Sequence, residues 1–271
     1  MIHLEKKANW VRNQVLEMTA SAKKGHIGGA FSAIDVLVAL YYGGFLRFNP
    51  SEPAWEDRDR FILSKGHSTL ALYVILADLG FTSWDAFKTY GQNGSFLGAH
   101  PDHAIPGIEV DSGSLGNGLG MGAGMALAAK MDQKPVRTVV LLGDGECYEG
   151  AIWEAVMFAG HHGLNNLIAI VDRNGQCVTD YTEDCNRLEP FTAKWEACGW
   201  EVLSIDGHSF AEIGQALDHG RNRSTQRPLL INAKTIKGKG VSFMEGALEW
   251  HHSVPNGEKL VRARRELTWT E

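Results

Sequence analysis

The chain is short of several features that would place it in other classes. Only four cysteines occur in 271 residues, Cys147, Cys177, Cys185 and Cys198, with no C-x-x-C and no Cys–His pairing at zinc spacing. That excludes a disulfide-stapled scaffold or a zinc ribbon, and reduced thiols in a cytoplasmic protein are expected. Long hydrophobic runs are missing. The longest, Thr138–Leu142 and Leu167–Val171, have strand length and are far too short to span a bilayer. Met1–Asn9 carries charge but no apolar signal core, so no secretion is expected. Charge of one sign is not concentrated either. Lys and Arg number 26 against 32 Asp and Glu, a net charge of −6, which argues against a nucleic-acid or membrane surface. There is no internal repeat, low-complexity segment or Pro/Gly/Ser linker. No Walker A motif exists, because Gly238-Lys239-Gly240 lacks the upstream Gly and the Ser/Thr.

What remains is an ordinary globular composition, 44% hydrophobic and 21% charged, with a clear alternation. Val139–Leu142, Leu167–Asp172, Glu201–Ile205 and Leu229–Ala233 are short Val/Ile/Leu-rich runs bounded by Gly, Asp or Asn, and Phe61–Ser64 is a candidate fifth. Such runs suit strands covered on both faces. Helical stretches fall between them, at roughly 4–20, 32–42, 68–79, 116–131, 149–162, 191–198 and 209–222. The expectation is an α/β fold: a doubly wound, mainly parallel sheet with helices on both faces and ligands at the strand C-termini. One domain over 1–271 is the simplest division, with a C-terminal tail from about 245 that carries Trp250, His251, His252 and Trp269 and must dock.

The strongest local signal is Gly143-Asp144-Gly145-Glu146, directly after the run Val139–Leu142 and before a helix from about Glu149. Glycines at a strand-to-helix turn let backbone N–H groups approach phosphate oxygens. A bare Asp there would repel a phosphate unless a divalent cation bridged the two. A second set of oxygen ligands follows the next strand, in Asp172-Arg173-Asn174-Gly175-Gln176. Asp144, the Asn174 side chain, the Gln176 carbonyl, two phosphate oxygens and a water would complete an octahedral Mg²⁺ site. Eleven histidines are present, and four stand in motifs outside any helix stripe: Gly25-His26-Ile27-Gly28-Gly29, Ser64-Lys65-Gly66-His67, Gly98-Ala99-His100-Pro101 and Glu249-Trp250-His251-His252. Imidazoles donate hydrogen bonds to phosphates and sugar hydroxyls while carrying little charge. The run Gly113–Gly124 does not fit a dinucleotide fingerprint; small residues for close helix packing are its plainest reading.

Gly-Asp-Gly followed just under thirty residues later by Asn is similar to the signature of thiamine-diphosphate enzymes, with Arg173 where the common pattern has a second Asn. With the four His motifs, the stretch around Gly113, Leu115, Gly116 and Gly118, and Asn232-Ala-Lys234-Thr235 ahead of Gly238-Lys-Gly240, the chain resembles the N-terminal part of transketolase from His26 to His251. The resemblance implies the thiamine-diphosphate-binding fold, with thiamine diphosphate and Mg²⁺ as cofactors (Ca²⁺ or Mn²⁺ as substitutes). It implies that His67, Gly145 and His251 approach the diphosphate and that Asp144, Asn174 and Gln176 hold the metal. Gly113 and Leu115 would lie along the cofactor near its pyrimidine. His26, His100 and His67 would face sugar hydroxyls and assist proton transfer, and Glu149 would couple two cofactor sites across a dimer interface. His252 stands where the family pattern has Gly, leaving two candidates for the diphosphate histidine. His103 has no role and is expected at the surface.

A full transketolase is more than twice this length, and its second domain supplies the Glu that activates the aminopyrimidine and the arginines for the sugar phosphate. No such segment occurs here. The expectation is therefore a split transketolase, a transferase active only with a C-terminal, pyrimidine-binding partner subunit, in an α2β2 heterotetramer. It would move a two-carbon ketol unit from a ketose phosphate to an aldose, in the pentose phosphate route or on a catabolic substrate such as apulose 4-phosphate. The alternatives are an α-type subunit of a 2-oxo-acid dehydrogenase, a 1-deoxyxylulose-5-phosphate synthase fragment, or a non-catalytic cofactor-binding remnant.

Overall fold

A computed structural model describes residues 1–268. Five strands form one parallel sheet: β1 Arg60–Leu63, β2 Thr138–Gly143, β3 Leu167–Arg173, β4 Glu201–Asp206 and β5 Leu229–Lys234, in the order β1-β2-β3-β5-β4. Nine α-helices surround it among the described residues: α1 Ile2–Ala22, α2 Ile27–Tyr42, α3 Thr69–Asp78, α4 Asn117–Met131, α5 Gly150–His161, α6 Thr182–Cys185, α7 Phe191–Ala197, α8 Phe210–Asn222 and α9 Gly257–Glu266. No helix among them is long and apolar enough to cross a membrane.

The apolar strands form a double core because successive side chains point to opposite faces. Phe61, Leu63, Val139, Leu141, Ile168, Ile170, Leu229 and Ile231 pack with α1, α2, α3 and α8. Ile62, Val140, Leu142, Ala169, Val171 and Leu230 face the other way, toward α4, α5 and α7. The run Glu201–Ile205 departs from the both-faces reading. As β4 it is an edge strand, partly exposed along its length.

Two further features bear on the expectations. A 3-10 turn, Gly145–Tyr148, separates β2 from α5, so the helix does not begin at the glycine turn. The tail docks as expected: Trp250 is buried, and α9 lies against α1, where Asn9 and Asn13 donate to the Leu267 carbonyl and Arg264 pairs with Glu17. Trp269 lies outside the described residues.

One buried network ties the first helix to the far edge. Arg12 on α1 holds both carboxylate oxygens of Asp35 on α2 at 3.0 and 2.6 Å. His208, just past β4, meets Asp35 through Nδ1 at 2.6 Å and accepts the Ile236 N–H at Nε2, 2.9 Å away. That arrangement requires the Nδ1-protonated ring and fixes the backbone immediately before Lys237.

Candidate active site

Parallel pairing brings every motif to one edge. β1 ends at Ser64-Lys65-Gly66-His67, β2 at Gly143-Asp144, β3 at Arg173-Asn174 and β5 at Lys234-Thr235, with Gly143 opposite Asp172 in the register. The C-terminal edge of a parallel sheet is where such folds bind ligands. A cavity of about 330 Å³ opens there, walled by Lys65, His67, Leu115, Asp144, Asn174, Gln176, Lys237 and His251 among others.

The floor is an ion pair. Lys65, only 1% exposed, contacts Asp172, which also accepts hydrogen bonds from Ser32 and Thr235. Burial alone would raise the Asp172 carboxyl, but Lys65 and the two hydroxyls outweigh it and hold it below its ordinary value. Asp144 is the opposite case. Burial, with the negative Asp172 adding to it, pushes its carboxyl above the usual range, against the Gly175 N–H and Arg173. This buried anion is short of positive charge.

Oxygen ligands suited to a metal lie near Asp144. Gly145 lies against the Gln176–Cys177 backbone: a Cβ there would sit 3.2 Å from the Cys177 Cβ and 4.0 Å from the Gln176 carbonyl oxygen. Asn174 Oδ1 accepts the Gln176 N–H at 3.1 Å, and Gln176 Oε1 is buried without a partner. A carboxylate, an amide oxygen and a backbone carbonyl suit a hard divalent cation, and the residues present fit a cation with a diphosphate. Arg173 spans from Asp144 to Glu183 and Glu189 and stacks on Phe191, so the residue that replaces the family Asn braces the loop behind this site.

Above the floor the imidazoles converge. The His26 ring centroid lies 5.5 Å from that of His67, 6.4 Å from His100, 5.5 Å from His251 and 4.4 Å from His252; His67 and His251 are 5.4 Å apart. Burial first, then the neighbouring rings of His252 and His100 and the Lys237 ammonium, lower His26 to about 4. Burial and then Lys237 lower His251 to about 3, and burial, with Lys65 next, drives His67 well down. All three are neutral near pH 7, each with one donor and one acceptor nitrogen.

The expected residues divide into two groups. His67, Leu115, Asp144, Gly145, Asn174, Gln176 and His251 line the cavity, whereas His26 and His100 stand beside it through their rings. Gly113 is not part of the wall. It adopts φ +140°, and a Cβ there would meet the His100 ring at 3.0 Å, so glycine lets that histidine close in. Glu149 lies outside the cavity, packed over Gly116 ahead of α4. His103 is exposed and bonded to Asp111, in keeping with a surface position.

One residue at this edge, Lys237, went unremarked in the sequence, and another, Glu146, was read only as part of the glycine turn. Lys237 is 2% exposed; its ammonium lies 3.5 Å from the Gln176 carbonyl, 3.2 Å from that of Cys177 and 3.1 Å from His251 Nδ1. Burial, with Lys65 next, lowers it to about 8. Its only sequence signal is its place three residues past β5. Glu146 is buried and accepts from Ser64 and from the Gly116 and Gly143 N–H groups, clamping the glycine turn to β1 and α4.

A family model, transketolase, thiamine diphosphate binding domain, matches residues 4–271. The chain belongs to this family. It is 44% identical to one of the subunits of the apulose-4-phosphate transketolase of Phocaeicola vulgatus, over 98% of this chain and 94% of that protein. It is 43% identical to the 6-deoxy-6-sulfo-D-fructose transketolase subunit SqwG of a Clostridium species, over 98% and 96%. The solved transketolase of Campylobacter jejuni superposes with a TM-score of 0.93 at 33% identity, over 98% of this chain but 43% of that one. The two relatives named as subunits are matched over almost their full length, and the Campylobacter enzyme over less than half of its length. The doubly wound parallel fold is shared with these solved structures.

Proposed function

We propose that this chain is the diphosphate-binding subunit of a split transketolase. It is a single cofactor domain over 1–271 that transfers two-carbon ketol units in the cytoplasm with a pyrimidine-binding partner, as an α2β2 assembly. The observation that carries the reading is the convergence, at one cleft, of a set of oxygen donors, a buried Lys237 and the neutral imidazoles of His26, His67 and His251. Two relatives of matching length bear subunit names, which supports the need for a partner.

Thiamine diphosphate, when bound, supplies the carbon nucleophile that breaks and remakes the bond next to a ketose carbonyl. The chain's own residues do the rest. Asp144, Asn174 and the Gln176 carbonyl hold Mg²⁺. Gly145, His67, His251 and Lys237 hold the diphosphate, and Leu115 and Gly113 border the remainder of the cofactor. His26 and His67 present neutral nitrogens to sugar hydroxyls, where each can accept a proton at one nitrogen while donating from the other, and His100 faces the same hydroxyls. Glu149, outside the cavity, serves the contact between two copies. The substrate is a ketose with an anionic far end, the chemistry shared by the sugars in the relatives' names.

The test is co-purification with a pyrimidine-domain partner and a screen of ketose phosphates and sulfonates. The isolated chain should transfer nothing, and mixing should restore transfer and give a larger species on sizing. Ketol transfer by the chain alone would overturn the split reading. Turnover of pyruvate in place of ketoses would favour the 2-oxo-acid dehydrogenase alternative.

A further inference from the structure

The loop behind the metal donors carries two thiols for which the transketolase reading has no use. Cys177 follows Gln176 directly, and Cys185 closes α6. Their Sγ atoms lie 3.0 Å apart. The segment between them is folded back on itself. Gln176 bridges to Tyr181, the Cys177 N–H donates to the Asp180 carbonyl at 2.9 Å, and the Thr182 N–H donates to the Gly175 carbonyl at 2.9 Å. The other two cysteines take no part. Cys147 is fully buried, with its S–H directed at the Gly143 carbonyl, and Cys198 caps α7.

The pair also has access. Cys185 is exposed, Cys177 is half-buried, and both border the cavity that Asp144 and Asn174 line. A disulfide needs its sulfurs about 2.0 Å apart, so the bond would close on a movement of roughly 1 Å within a loop whose ends the fold already holds together.

We propose that Cys177 and Cys185 form a redox-modification site, a dithiol that closes reversibly to an intrachain disulfide on the wall of the cofactor cleft. The oxidant is a low-molecular-weight disulfide of the glutathione type. Cys185, the accessible sulfur, gives up its proton and attacks one sulfur of the oxidant, expelling the first thiolate, which is protonated. Cys177 then gives up its proton and attacks the Cys185 sulfur of the mixed disulfide, expelling the second. Two electrons and two protons pass from the protein to the oxidant, which leaves as two thiols. This site goes beyond the transketolase reading and does not depend on it.

The experiment exposes the full chain to oxidised glutathione and follows intact mass and peptide maps. The expected product has lost two hydrogens, carries a single Cys177–Cys185 cross-link and returns to the starting mass with dithiothreitol. Cys185→Ser should retain the fold, form no cross-link and leave at most a glutathione adduct on Cys177. A cross-link to Cys198, a link between chains, or an unchanged mass after days at millimolar oxidant would each overturn the pairing. Cys198→Ser guards against misassignment: the cross-link must persist in it.

Discussion

Replacing Lys237 by Met should make the free chain more stable and the cofactor complex weaker. The ammonium is buried beside Lys65 and two neutral histidines, and its pKa falls from 10.5 to about 8. At about 1.4 kcal/mol per pH unit, that drop represents roughly 3 kcal/mol of penalty on the charged form. Methionine fills similar space without charge but gives up the contacts to His251 and two carbonyls. These acceptors face the cavity and can be hydrated, leaving a net gain of about 1–2 kcal/mol and a Tm higher by about 2–8 °C. Because the folded pKa lies below the unfolded one, the penalty is complete below about pH 8 and fades toward pH 10.5. The stability gap between Lys237→Met and the parent should therefore narrow across that window. Cofactor binding should move the other way. A charge-assisted hydrogen bond to diphosphate contributes about 1.5–3 kcal/mol, so affinity for Mg²⁺–thiamine diphosphate should fall roughly 10- to 100-fold. Thermal unfolding of the free chain and calorimetry on the assembled complex read the two effects separately. A lower Tm together with unchanged cofactor affinity would refute the reasoning.

Asp144→Asn keeps a similar shape and one oxygen acceptor but removes the charge, so metal-dependent cofactor affinity should drop by at least about 100-fold while the fold persists; calorimetry with and without Mg²⁺ checks this. His26→Ala and His100→Ala should each raise the barrier to transfer by about 1–3 kcal/mol and leave cofactor affinity almost unchanged; steady-state kinetics against calorimetry separates the two. His26 and His251 have folded values of about 4 and about 3, below the ordinary 6.5, so the unfolded chain takes up their protons first. These two rings should cost the free chain nothing above pH 6.5 and destabilise it increasingly as the pH falls toward 3. Thermal unfolding should show that loss shrink once Mg²⁺–thiamine diphosphate is added, because an anion favours the charged rings.

Most of the sheet was legible because β2, β3 and β5 are buried on both faces and write themselves as unbroken apolar runs. β4 was found but misread as central, since Val202, Leu203 and Ile205 give an apolar count that does not reveal an edge. α9 went unseen: it is mostly charged, and its apolar contact is limited to Leu260, Ala263 and the Leu267 that follows it. In the site, Asp144, Asn174 and the histidines were readable because glycine flanks or spacing mark them. Lys237 was not, because Lys234, Lys237 and Lys239 together look like a solvated basic stretch. Only the turn after β5, held at Ile236 by His208, brings one of the three inward.

That same hold has a consequence for how variation in this chain would be scored. Arg12, Asp35 and His208 belong to distant parts of the sequence and to no expected cofactor contact, yet together they set the backbone that presents Lys237. In a growth-based mutational scan, substitutions at these three positions should cluster with those at Lys237 and His251. Supplementing the medium with excess thiamine should rescue mild alleles at Arg12, which perturb placement, more readily than alleles that delete the ammonium itself. A map of tolerated changes would therefore draw the boundary of the active site well outside the cleft, along a line running from the first helix to the far edge of the sheet.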